Sequence, residues 1–380
     1  MRRSFFAVLL TFACLLGSGE ARAASLELQV VSYNVYMVPI TAPARAERLE
    51  KLPDEIAELS PDVVLLQEVW SEADSASLEA SLKRRGLSHV FRAASAAPFA
   101  YASSGMLIAS RYPITAAQRR SFSLGRYPHT PYHLDWIGRK GALDVRIQTP
   151  LGPVRFVDTH LQASYRTGSY EPVRISQALE LASWLTDTSL PLVVAGDFNA
   201  REDWPSCRVF RERAGVRLPK GRWRVDQILL RDGDTLALTS MGVKRVLQDP
   251  VLLADGSRRR LSDHRAVVMS VRLEQKSAGQ ATPPRLDPSI EDQAGQVLRD
   301  DLRRTRRQQW AGFACLPLCL FFGVWGARRV RKARGRLWAL LALVSAFAGT
   351  WVAYFLIGYV PHRRAGIERA LASLGVKRSE

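Results

Sequence analysis

Two stretches without a single charge, Trp310 to Gly326 (17 residues) and Leu337 to Val360 (24 residues), restrict this chain more than any other feature. Both fall within or near the length an apolar helix needs to cross a bilayer. Trp310, Trp325, Trp338 and Tyr359 stand near their ends, where amphipathic rings favour the headgroup level. Between them lies Arg328-Arg329-Val330-Arg331-Lys332-Ala333-Arg334-Gly335-Arg336, and so basic a short loop favours the cytoplasmic side. The segments flanking the hairpin are then expected on the opposite side, although Arg303, Arg304, Arg306 and Arg307 run against that orientation. The other reading is a helical hairpin buried in a soluble protein. It would have to hide two long charge-free helices beside a highly basic loop.

The N-terminus agrees with export. Arg2 and Arg3 precede an apolar run, Ser4 to Gly17, that is too short to span comfortably. Ala21-Arg22-Ala23 then supplies small residues for cleavage, so residues 1–23 are expected to be a signal peptide; an uncleaved anchor is the alternative. Residues 24–273 are expected to form the main folded domain and 274–309 a linker and polar helix. Residues 310–360 would be the two transmembrane helices with their basic loop, and 361–380 a tail.

Within 24–273, short apolar runs alternate with helical patterns. Leu49, Leu52, Ile56 and Leu59 share one face of an expected helix over 45–59, and 172–185 reads as another. Strands are expected over 26–31, 62–66, 106–109, 143–148, 154–159, 192–195, 227–230 and 265–271. That mixture means α/β, without repeats.

The formal net charge of +18 invites a nucleic-acid reading, which its distribution weakens. Residues 24–273 hold 33 Lys and Arg against 27 Asp and Glu, a net of +6. Residues 274–380 hold 18 against 8, a net of +10, so most of the surplus lies outside the main domain. Beyond the expected signal only Cys207, Cys315 and Cys319 remain, the last two in an apolar segment. An internal disulfide in the main domain is excluded, and no zinc cluster is visible.

Polar groups at the ends of the apolar runs carry the chemistry. The motifs are Ser32-Tyr33-Asn34-Val35-Tyr36, Leu66-Gln67-Glu68-Val69, Thr159-His160-Leu161, Gly196-Asp197-Phe198-Asn199, Arg224-Val225-Asp226-Gln227-Ile228 and Ser262-Asp263-His264. Singly, each has a plainer reading: a turn at Asp197–Asn199, a helix start at Glu68, a cap at Ser262, a core histidine at His160. Together they would bring ionisable groups to one rim of a sheet assembly, as a hydrolytic site requires. Glu68 is a hard carboxylate suited to Mg²⁺, with Mn²⁺ or another divalent cation as alternatives, and Asn34 can complete or orient that shell. His264 titrates near neutrality and is the natural general base, with Asp226 to fix its tautomer. Asp197 and Asn199 can position the attacking water and the leaving oxygen, while His160 can donate to a phosphate.

In this order the motifs resemble the endonuclease/exonuclease/phosphatase superfamily over roughly residues 26–273. The resemblance implies an α/β four-layer sandwich, two mixed β-sheets packed face to face with helices outside. Here a C-terminal transmembrane helical hairpin would be added. It also implies Mg²⁺-assisted attack of one water on phosphorus, supports the roles given above, and adds Asp263 to the metal-side network. Three stretches are similar to the neutral and bacterial sphingomyelinase branch: Asn34-Val35-Tyr36-Met37, His160-Leu161-Gln162-Ala163-Ser164-Tyr165, and Asp135-Trp136-Ile137-Gly138-Arg139-Lys140-Gly141. That branch implies that Asp135 and Lys140 position the catalytic network or the phosphate. It also implies a phospholipid substrate at a membrane. One departure is the short segment 246–261, which ends in Arg258-Arg259-Arg260 and lacks a long aromatic hairpin. Other readings stay open: a membrane-tethered nuclease or other phosphoesterase of the same fold, and a non-catalytic membrane adaptor.

Overall fold

A computed structural model of the 380-residue chain describes residues 25–39, 41–92, 105–125, 133, 135, 138, 140–165, 168, 170–187, 189–221, 223–276, 287–333 and 336–375. The expected signal peptide, Trp136, Ile137, Arg139 and most of the expected linker lie outside these residues.

Thirteen strands and seven α-helices are described. In chain order the first half contains β1 (Ser25–Asn34), α1 (Arg45–Glu58), β2 (Val63–Gln67), α2 (Glu72–Arg84), β3 (His89–Arg92), β4 (Met106–Ser110), β5 (Ile114–Ser121), β6 (Gly141–Thr149) and β7 (Gly152–His160). Next come α3 (Glu171–Ser183), β8 (Leu192–Asp197), α4 (Pro205–Ala214), β9 (Asp226–Arg231), β10 (Leu236–Val246), β11 (Val251–Leu252), β12 (Arg258–Arg259) and β13 (Ala266–Gln275). The chain closes with α5 (Pro288–Ala333), α6 (Arg336–Tyr354), a π-helical turn (Phe355–Tyr359) and α7 (Val360–Ser373).

Two mixed sheets result, one ordered β10-β13-β1-β2-β4-β3 and the other β5-β6-β7-β8-β9. Leu28, Val30, Leu65, Ile108 and Met269 of the first meet Val145, Phe156, Val193, Ile228 and Leu230 of the second in a water-excluded layer. The outer face of the first sheet (Val31, Tyr33, Val64, Leu66) packs on Leu52 and Ile56 of α1 and Leu78 and Leu82 of α2. Val157, Val194 and Leu229 of the second pack on α3 and α4. The four-layer arrangement is the expected one. The strand and helix assignments made from apolar periodicity all fall on elements of this kind, whereas α2, α4, β3, β5 and β10 are not among them.

The period of two along a strand places the site. Val30, Leu65, Phe156, Ala195 and Ile228 face the inter-sheet core. Each strand then carries one further position of the same parity at one end of the sandwich: Asn34, Gln67, His160, Asp197 and Asp226. Register aligns them, with Asn34 opposite Gln67, His160 opposite Asp197, and Asp197 opposite Asp226. Gly196 makes the alignment possible. Its φ is +142°, and a Cβ there would lie 1.9 Å from the Thr159 carbonyl oxygen.

At the C-terminus, α5 runs from the catalytic-side helices into the first charge-free stretch, and α6 returns against it. Trp310, Phe347 and Ile357 are 74%, 75% and 79% exposed. Among the described residues, these are the two helices long and apolar enough to cross a membrane. Their outward apolar surface is the opposite of what a hairpin buried in a soluble core requires.

Candidate functional site

The strand ends and the loops beside them bring the ten expected polar side chains to one end of the sandwich. Asn34 sits between two acids: its Nδ2 donates to Glu68 Oε1 and to Asp197 Oδ2, each at 3.0 Å, while its Oδ1 accepts from Tyr36 N–H at 3.1 Å. Because Asn34 belongs to one sheet and Asp197 to the other, this amide ties the sheets together at the site. Glu68 follows directly after β2 with φ +65°, and Asn199 has φ +49°. Non-glycine residues there cost about 1–3 kcal/mol each, so the surrounding sandwich must hold them in place. Asn199 N–H donates to Asp197 Oδ1 (2.8 Å) and its Nδ2 to the Leu161 carbonyl (2.9 Å).

His264 Nδ1 lies 3.1 Å from both oxygens of Asp226, and its Nε2 lies 3.8 Å from Asp197 Oδ2. The loop before it is locked from both sides. Ser262 Oγ accepts from His264 N–H and donates to the Asn34 carbonyl at 2.7 Å. Arg48 on α1 is fully buried and donates to the carbonyls of Leu261, Val35 and Tyr36, joining the two site loops through one guanidinium. Its importance is invisible in sequence, because the carbonyls it joins belong to segments far apart in the chain.

On the other side, Lys140 Nζ approaches His160 Nε2 at 2.7 Å, donates to the Leu161 carbonyl at 3.0 Å, and pairs with Asp135 Oδ2 at 3.2 Å. Asp135 is held in turn by Gln162 Nε2 (3.0 Å) and Ala163 N–H (2.5 Å). His160 Nε2 is also 3.6 Å from Asp197 and 3.9 Å from Glu68. The Trp70 ring, missed in sequence, lies 6.1 Å from His160 and fills the space a Cβ on Gly138 would take, 2.1 Å from the ring.

Asp263 lies beside His264 at the rim of this group. It is exposed, with Ser262 Oγ at 3.3 Å, and it belongs to neither of the two groups whose ligand atoms lie within 4.8 Å of one another. Those groups are Glu68, His160 and Asp197, and Asp197, Asp226 and His264.

Electrostatics follow from burial and from this acid-rich setting. Burial raises Glu68. Burial, helped by the Lys140 charge, pushes His160 down to about 3, so it is neutral and its Nε2 accepts from Lys140. Burial acts against the Asp197 carboxylate, but His160, His264, Lys140 and the Asn199 N–H together hold it below its ordinary value. Asp226 and His264 are both pushed up, to about 6 chiefly by burial and to about 10 respectively. The two directions conflict over one shared proton. We place it on His264, since burial there is outweighed by the Asp226 hydrogen bond and the Asp197, Asp226 and Asp263 charges. The donor set fits a divalent cation: carboxylates of Glu68 and Asp197 converge on one amide, with hard oxygens on both sides.

Residues 31–264 match the Endonuclease/Exonuclease/phosphatase family. A Drosophila melanogaster protein bearing a neutral sphingomyelinase name is 29% identical over 283 residues, 65% of this chain and 61% of its own length. Human sphingomyelin phosphodiesterase 2 is 29% identical over 197 residues, 50% of this chain and 45% of its length. The chain thus spans less than two thirds of either relative. The sphingomyelinase C structure from Streptomyces griseocarneus superimposes with a TM-score of 0.51 at 18% identity, covering 64% of this chain and 99% of that one, a likeness of fold. With the family match extending over more than half of its length, the chain belongs to the endonuclease/exonuclease/phosphatase family.

Proposed function

We propose that this chain is a divalent-metal-dependent phosphodiesterase that removes the head group of a phospholipid, converting sphingomyelin to ceramide and phosphocholine. The observation carrying the chemistry is the opposition of two pairs across Asp197: His264 clamped by Asp226 on one side, His160 held by Lys140 on the other. Once His264 has shed the shared proton, its Nε2 is the atom that takes the proton of the attacking water, since Asp226 occupies Nδ1. Asn199 and Asp197 hold that water in line. Lys140 Nζ carries the positive charge presented to the phosphate, because neutral His160 accepts from it. Glu68 and Asp197, both oriented by the Asn34 amide, would hold a divalent cation, whose charge would offset the carboxylate field on His264 and polarise the phosphoryl oxygens. Names of the relatives support the lipid substrate. So do the outward apolar helices, which would hold the site near head groups at high effective concentration.

The substrate is tested with the full chain in detergent. Phosphocholine release from sphingomyelin and phosphatidylcholine is compared with plasmid cleavage, in Mg²⁺ and in EDTA. Phosphocholine release from sphingomyelin that requires Mg²⁺ is expected. DNA cleavage without lipid turnover would sink the lipid reading and favour a nuclease, for which Arg224 and Arg265 beside Arg245 and Asp226 offer a polyanion contact.

We further propose that the catalytic domain is exported and that the basic turn between α5 and α6 is cytoplasmic. The support is that α5 leaves the catalytic domain and α7 returns to it, so both ends of the hairpin lie on one side. A reporter fused after Lys332 should report a cytoplasmic location. Activity of a periplasm-dependent reporter at that position would reverse the orientation.

A further inference from the structure

The segment after the second apolar helix is not a free tail. Ile367, Ala370 and Leu371 of α7 join Ile290, Ala294 and Leu298 of α5 in the same cluster as α3 and the outer face of the second sheet. Where these helices meet, Arg363 Nε and Nη2 donate to Asp301 Oδ2 and Oδ1 at 2.8 and 2.7 Å, with Asp301 and Arg363 both buried. The pair lies nine residues before the first charge-free stretch and three after the second.

From there a continuous set of contacts leads to the site. Gly366 packs on Leu124 so closely that a Cβ would sit 2.8 Å from Leu124 Cδ1, and Ser176 Oγ donates to the Gly366 carbonyl at 3.4 Å. The Ser123–Gly125 turn is gripped from α3: Glu180 accepts from Ser123 N–H and Oγ, and Gln177 Nε2 donates to the Leu124 carbonyl at 3.0 Å. Gln177 Oε1 accepts from Gln162 N–H at 2.9 Å, and Gln162 Nε2 donates to Asp135, the partner of Lys140. This turn, Lys140 and both glutamines line one cavity of about 260 Å³.

We infer that Asp301 and Arg363 are positioning residues for the Asp135–Lys140 pair, reached through α7, the Ser123–Gly125 turn and the Gln177–Gln162 amides. The membrane hairpin then shapes the catalytic site as well as holding it at a bilayer. Insofar as its readout is catalytic, the inference rests on the function proposed above. A passive tether would leave turnover of a soluble substrate independent of this clasp, because such a substrate does not need the membrane.

The full chain in detergent micelles is assayed on a soluble aryl phosphodiester. Arg363→Met is expected to lower kcat about tenfold with KM within about twofold, as misplacement of a positioned group does. The reciprocal exchange Asp301→Arg with Arg363→Asp should recover most of the loss. A role in stability alone would lower Tm and leave kcat of the folded protein unchanged. Folded Arg363→Met with kcat within about twofold of the unaltered chain would overturn the inference. If that variant does not fold, Gly366→Val presses on Leu124 with the ion pair intact. Its kcat should fall and be restored by Leu124→Ala in addition, and an unchanged kcat counts against the inference. An inactive unaltered chain speaks instead against the proposed function. The clasp is then read from the imidazole ¹⁵N shifts of His160, which should move in Arg363→Met and return in the exchange; unmoved shifts refute it.

Discussion

His264→Ala is expected to lower kcat by about a thousandfold, the scale of a lost general base. The geometry makes His264 hard to replace. Asp226 holds Nδ1 with both oxygens at 3.1 Å, Ser262 Oγ fixes the backbone N–H, and Nε2 is left facing Asp197 and the interior of the site. The other histidine cannot take over, because His160 is pushed down to about 3 and its Nε2 is engaged by Lys140. Asp226→Asn separates orientation from charge. It keeps a side chain of the same shape beside Nδ1 while removing the carboxylate that favours one tautomer, so kcat should fall with little change in KM. The measurement is steady-state turnover of phosphodiester by the full chain, with circular dichroism to confirm folding. Retention of full activity in His264→Ala would refute the mechanism.

How much of this arrangement was legible in sequence follows from which groups are local and which are not. Asn34, Glu68, His160, Asp197 and Asp226 each sit at or next to the end of an apolar run. A buried strand must be apolar along its inward face, so a polar residue in the last inward position stands out. Asp135 and Lys140 were found by resemblance, and their placement beside His160 depends on Gln162 and Ala163 from another strand end. Arg48 was missed, because an arginine on an amphipathic helix reads as a solvated face. Its value comes from three carbonyls that only the fold brings together. The role of α7 was missed for the same reason. Gly366 and Arg363 look like ordinary residues of a basic tail until α7 folds back on α3 and α5. Asp263 shows the converse limit: the motif marked it, while the backbone turn leaves its side chain exposed.

Chelation is expected to reduce activity by about a thousandfold or more, with recovery on adding Mg²⁺, because several kcal/mol of charge stabilisation at phosphorus are then lost. The reason lies in the acids. Glu68 and Asp197 share one amide nitrogen, Asp226 faces Asp197 across the β8–β9 register, and Asp263 adds its field at His264. An anionic phosphodiester entering this end of the sandwich would meet mostly negative charge, opposed by Lys140. Coulomb repulsion between unit charges about 4 Å apart is about 4 kcal/mol at a partly screened site, more than one ammonium already paired with Asp135 can offset. Binding also has a readout that needs no substrate: calorimetric titration of the chelated full chain with Mg²⁺ should show a site that Glu68→Gln abolishes or weakens severely. Glu68→Gln is nearly isosteric and can still accept from Asn34, so loss of binding with the fold retained would assign the cation to this carboxylate. Unchanged Mg²⁺ affinity in Glu68→Gln would move the cation elsewhere among the acids, to the Asp197–Asp226–His264 group.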